Sequence, residues 1–153
     1  MLQNYDGYIY HGLYFLSVFI LQGINAVRTS FGDRIVPSLM VSDLDVTLDF
    51  YVEKLGFEVT GRYPEMGDPL WAEIERDAVA LQVFSADFAP EGFPSRPGLT
   101  GTLYFYPDDV LRLAAELRGR VLFEWGPEVM DYGQREFALR DPDGYYLAFA
   151  EPA

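Results

Sequence analysis

Side chains able to act as nucleophile, general base or metal ligand are unevenly supplied in this chain of 153 residues. There is no cysteine and a single histidine, His11. Disulfides, thiol nucleophiles, cysteine-type zinc sites and cysteine-ligated iron–sulfur clusters are therefore excluded. Imidazole is the usual base and metal ligand near neutral pH, so such a role falls on His11 or on carboxylates. Carboxylates abound: 24 Asp+Glu against 11 Lys+Arg give a net charge of −13. That balance disfavours nucleic acid and anionic membranes and favours cationic ligands. Strand alternation puts Trp71, Glu73 and Glu75 on one face, suited either to a cation or to plain solvation. Glu136 follows Arg135 and is expected in a surface ion pair; buried, it would instead be a general base or an ammonium partner. Tyr104 and Tyr106 share a strand face, and their hydroxyls need water, protein or ligand. No nucleophile elbow, phosphate-binding glycine loop or paired-histidine metal motif is present.

The elements that must position these groups begin after an unlike N-terminal segment. Residues 1–34 carry Asp6, Asp33, Arg28 and Arg34 and sum to zero, so the whole −13 belongs to 35–153. Residues 7–27 have no formal charge. They are long enough for a membrane span, yet His11, Ser17, Gln22, Asn25 and three glycines interrupt them. Only Asp6 precedes the apolar run, so a secretory leader is not supported. This segment is read as an appended packing element, with an anchor or a misplaced start as alternatives. The protein is expected in the cytoplasm, off the membrane unless this segment anchors it.

From residue 35 strands and helices alternate. A strand over 35–41 precedes a helix capped by Asp43 or Asp45, with Leu44, Leu48, Tyr51 and Leu55 at helical spacing and Gly56 at its end. Strands come next over 57–63, 70–75 and 79–85. Residues 86–100, rich in Pro and Gly, read as a linker. Then the pattern restarts: a strand over 101–106, a helix capped by Asp108 or Asp109, and strands over 121–125, 135–140 and 145–150. Asp141-Pro142-Asp143-Gly144 is a turn signal. Asp43 and Asp109 differ by 66, as do Gln82 and Ala148, which marks an internal duplication. The expected modules are 35–85 and 101–151, an α+β chain reading βαβββ twice. His11 lies outside both and is assigned no catalytic role.

Val41-Ser42-Asp43-Leu44-Asp45, Phe50-Tyr51 and Leu55-Gly56-Phe57, with the run from Arg135 to Gly144, resemble the vicinal oxygen chelate superfamily, which includes glyoxalase I, extradiol dioxygenases and the fosfomycin- and bleomycin-resistance proteins. The resemblance covers 35–151. It implies paired βαβββ modules that curl into a cup, with metal ligands on the first and fourth strands of each module in the metal-dependent members. Those positions fall on Val36, Gln82, Thr102 and Ala148. Three protein donors are a working minimum for a catalytic metal site, and of these four only Gln82 offers a good one. No metal and no cofactor are therefore expected, and no catalytic residue is assigned.

If those four positions face the cup, alternation adds their neighbours. The candidate ligand-binding residues are Ser38, Met40, Trp71, Gln82, Phe84, Thr102, Tyr104, Tyr106, Trp125, Glu136, Tyr146 and Ala148. The resemblance points to a homodimer that sequesters a cationic or aromatic small molecule, as bleomycin-resistance proteins do. The alternatives are a lyase, isomerase or dioxygenase with non-standard ligands, and a structural or regulatory dimer whose cup is filled by its own side chains.

Overall fold

The computed structural model describes residues 34–153. The expectations placed on residues 1–33, His11 among them, lie outside the described residues. The described chain is α+β. In the first module β1 (Ser38–Val41) leads to α1 (Leu44–Asp49), β2 (Glu58–Tyr63), β3 (Trp71–Arg76) and β4 (Val79–Ser85). In the second, β5 (Thr102–Phe105) leads to α2 (Val110–Leu117), β6 (Phe123–Val129), β7 (Gln134–Arg140) and β8 (Tyr146–Pro152). Each module makes one four-stranded sheet of the same order, β1-β4-β3-β2 and β5-β8-β7-β6. First and last strands pair in parallel, the others antiparallel. Ser38 stands opposite Gln82 and Tyr104 opposite Ala148, so the offset of 66 holds in register as well as in sequence (104 − 38 and 148 − 82).

Both helices start on the chemistry their sequences carry. The Asp43 carboxylate accepts from the Val46 amide at 3.0 Å, and Asp109 accepts from Arg112 at 2.8 Å. Each satisfies an amide that the first helical turn leaves open. The helix expected to run to Leu55 changes character on the way. α1 stops at Asp49, and Phe50–Lys54 continue as a π-helical turn. Gly56, at φ +72°, then turns the chain toward β2. The first strand starts at Ser38 rather than at 35, which leaves Val36 ahead of it. β6 runs past its expected end at 125, through bulges between Phe123 and Glu128.

Alternation gives the inner strands one helix-covered side. Ile74, Leu81, Phe137, Leu139, Leu147 and Phe149 pack with Tyr51, Leu55 and Phe57 and with Val110, Ala114 and Leu117 of α2. That cluster draws on both modules, so they share one core. Polar contacts reinforce the junction. The Tyr51 hydroxyl donates to Asp141 at 3.2 Å, the Tyr145 hydroxyl donates to the Met40 carbonyl at 2.7 Å, and the Ser42 amide donates to Asp143 at 3.0 Å. The segment after β4 is more than a spacer. Phe88 lies 5.9 Å from Tyr63 and Phe93 5.6 Å from Phe84, centroid to centroid. Its aromatic rings thus rest on the first sheet, on the side away from the core. Among the described residues no helix is long and apolar enough to cross a membrane.

Candidate functional site

Eleven of the twelve candidate residues fall on the open sides of the two sheets; Tyr106, just past the end of β5, lines the helix-covered side. On the first, Ser38, Gln82 and Glu73 are level across β1, β4 and β3, and Met40, Phe84 and Trp71 form the next row. Met40 and Phe84 are buried, Trp71 and Gln82 half-buried and Ser38 exposed. The Gln82 amide donates to Glu73 at 3.1 Å. Ser38 and Glu75 add further polar groups to this face beside the apolar Met40, Phe84 and Trp71.

The second sheet carries the richer arrangement. Tyr104, Ala148, Ala138 and Trp125 form one row, with Thr102, Tyr146 and Arg140 beside it. Ala138, Ala148 and Ala150 are buried, and their small side chains make a low floor. Aromatic rings stand on it: Trp125 lies 6.0 Å from Tyr146, and Tyr104 stacks on Tyr106 at 6.4 Å. The Arg140 guanidinium sits 4.3 Å above the Tyr146 ring. The indole N–H of Trp125 and the Gln134 Oε1 are buried with no partner among the described residues. Such atoms are costly to leave unpaired.

Glu136 corrects the expectation of a surface ion pair. It is 2% exposed, and the Tyr104 hydroxyl donates to it at 3.4 Å. Arg135 points to the other face and pairs with Glu151 at 2.8 Å. Alternation alone separates the two neighbours. Burial, then the Glu136 charge and hydrogen bond, raises the Tyr104 hydroxyl above its ordinary pKa. Tyr132 is raised too, by loss of hydration and then by its hydrogen bond to Glu136. Glu128 stands opposite Glu136 across β6 and β7, an unfavourable like-charge pairing that a cation would relieve. Sequence reading missed Tyr132, Gln134 and Arg140 as members of this face. Tyr132 lies between β6 and β7, where no periodicity points to it.

The donors at the metal-binding positions do not fit a metal centre of the family type. Level with Gln82 stands Ser38, and level with Ala148 stands Tyr104. Val36 and Thr102 supply no carboxylate or imidazole either. Among the described residues no group of three or more His, Cys, Asp or Glu side chains is placed to hold a metal ion.

Asp141 was expected to do turn chemistry, and it does. Its carbonyl accepts from Gly144 at 3.0 Å and its carboxylate from the Asp143 and Tyr145 amides at 3.0 and 2.9 Å. It also fastens the modules through Tyr51, a role the turn motif did not reveal. Burial raises its pKa to about 6, against the opposing pull of these hydrogen bonds. A raised carboxylate favours folding fully below its unfolded value of 3.8 and loses that contribution as pH climbs through about 6. The loss amounts to about 3 kcal/mol. Asp141→Asn keeps an acceptor and cannot ionise. Urea denaturation from pH 4 to 7.5 is therefore expected to show the variant gaining on the unaltered chain as pH rises. A flat or falling difference would contradict this.

A cavity of about 510 Å³ lies on the helix-covered side, lined by residues of both modules. Of the twelve candidates only Tyr106 lines it. The hydrogen bonds and ring contacts of the candidates run within each sheet's group and do not join the two.

The sequence model of the Glyoxalase/Bleomycin resistance protein/Dioxygenase superfamily matches residues 32–149. Among solved structures, TioX from Micromonospora sp. ML1 is similar with a TM-score of 0.67 at 20% identity, covering 80% of this chain and 100% of that one. TnmS3, an antibiotic binding protein from Streptomyces sp. CB03234, is similar with a TM-score of 0.61 at 27% identity, covering 82% and 100%. A superfamily member from Sphaerobacter thermophilus DSM 20745 gives 0.61 at 27% identity, covering 78% and 98%. No curated sequence matches the chain.

Proposed function

The chain belongs to the Glyoxalase/Bleomycin resistance protein/Dioxygenase superfamily, and from that premise we propose that it is a small-molecule binding protein working without a metal. Its ligand is an aromatic cation held against the open sheet faces, and its action is sequestration. The observation that carries this reading is the buried Glu136 beside Tyr104 and Tyr132, on the sheet that also carries Trp125. A carboxylate beside aromatic faces attracts a planar cation by charge and by stacking. The Trp125 N–H, without a partner among the described residues, is left for an acceptor of the ligand.

The same geometry speaks for binding over proton transfer. Loss of hydration and the neighbouring carboxylate hold the Tyr104 hydroxyl protonated, and its hydrogen is directed at Glu136, which opposes use as a base. The similarity to TnmS3, an antibiotic binding protein, adds support. We take the unit to be a homodimer, because each open face offers only half of a cup. The binding residues are then the twelve candidates with Glu73 and Tyr132 added.

Thermal unfolding in the presence of divalent ions tests the metal-free part. Ni²⁺, Zn²⁺, Mn²⁺ and Fe²⁺ are each expected to leave the midpoint unmoved. A reproducible rise that Gln82→Ala abolishes would overturn the reading.

A further inference from the structure

We propose that the cavity between the modules is a second ligand site, one that takes a hydrocarbon chain bearing a cationic head. The cavity is a cleft open to solvent on one side and walled by both modules. Its volume of about 510 Å³ is typical of small-molecule pockets. Its walls are apolar on both sides: Leu55 and Phe57 from the first module, Phe105, Leu113, Leu117 and Phe149 from the second. Such walls suit an apolar guest, since its burial removes hydrocarbon surface from water.

The mouth sets the charge of the guest. Arg76, Asp77 and Asp108 line it. The Arg76 guanidinium is already engaged, donating to the Leu55 carbonyl and pairing with Glu116 at 3.1 Å. One guanidinium is thus shared between Asp77 and Glu116, and Asp108 adds a further carboxylate to the lining. Asp77 is 90% exposed and reaches Arg76 only at 3.8 Å. The remaining negative field favours an ammonium head and opposes a fatty-acid carboxylate.

Phe105 and Phe149 line this cavity, while Tyr104 and Ala148 on the same two strands face the other way. The site therefore lies on the opposite side of these strands from the open faces, meeting them only at Tyr106, and it does not rest on the function proposed for them.

Calorimetric titration of the full chain with decyltrimethylammonium and decanoate, at low salt and below micelle-forming concentrations, tests the inference. The cation is expected to bind saturably, one per chain, about tenfold tighter than the anion. Leu113→Trp fills the space and is expected to abolish binding, while Trp125→Ala leaves it intact. Asp77→Asn provides a variant that does not disturb folding, because Asn tolerates the positive φ of 53° found there. It is expected to narrow the cation-to-anion ratio about threefold. Absence of saturable binding, equal affinity for the two probes, or loss of binding in Trp125→Ala with retention in Leu113→Trp would each overturn the proposal.

Discussion

Glu136→Gln is expected to weaken binding of a planar aromatic cation by about ten- to a hundredfold while leaving a neutral ring of the same shape nearly unaffected. The carboxylate is buried, and no cation of the described residues is seen to neutralise it: Arg135 is turned away onto Glu151. Hydrogen bonds to a charged group are worth about 1.5–3 kcal/mol, and each 1.4 kcal/mol is about tenfold in affinity. Glutamine keeps the shape and an acceptor for the Tyr104 hydroxyl, so the fold should survive. Titration of acriflavine and of a neutral acridine against both proteins separates the outcomes. Equal losses for the two probes would make Glu136 a structural residue. No loss at all would remove it from the site.

Gly126→Ala is expected to cost about 3 kcal/mol or more and to disrupt the same face. Gly126 sits at φ +72° in the bulged part of β6. A Cβ there would lie 2.1 Å from the Glu136 carbonyl oxygen and 2.9 Å from the Phe137 Cα. Both neighbours are backbone of the adjacent strand and cannot swing aside. The left-handed conformation alone penalises a side chain by about 1–2 kcal/mol, and overpacking adds about 1–3 kcal/mol. Since β6 brings Trp125 to its place beside Ala138, the distortion reaches the ligand face directly. Urea denaturation checks the stability and acriflavine titration the binding. A variant as stable as the unaltered chain would show that β6 can move off β7.

Much of the fold was legible because it is written twice. The 66-residue offset between Asp43 and Asp109 is realised as two equivalent helix caps, and Gln82 and Ala148 occupy equivalent strand positions. A local rule repeated at a fixed spacing constrains topology far more than either copy alone. Alternation likewise put Ser38, Met40, Gln82, Phe84, Thr102, Tyr104, Tyr146 and Ala148 on the sheet faces they occupy, and failed for Tyr106, because β5 ends at Phe105.

The rest depends on contacts distant in sequence. Nothing local says that Tyr51 reaches Asp141 across 90 positions. Nothing local says that Phe88 and Phe93 lie on Tyr63 and Phe84. Glu136 looked like an ordinary surface charge, since burial is set by what packs around a strand and not by the strand itself. Tyr132 belongs to a turn, and only the hairpin geometry returns it to Glu136. The inter-module cavity is a property of how two helix-covered faces fail to fill the space between them, which no single segment encodes.

A metal-free site for an aromatic cation on the open sheet faces can be tested directly. The measurement is calorimetric titration of acriflavine and of metal-free bleomycin into the full chain with excess EDTA, repeated with Trp125→Ala and with Gln82→Ala. Saturable binding in EDTA for at least one probe, weakened at least about tenfold by Trp125→Ala, is the predicted result. No binding of either probe, or binding that emerges only when a divalent metal is restored, would contradict it.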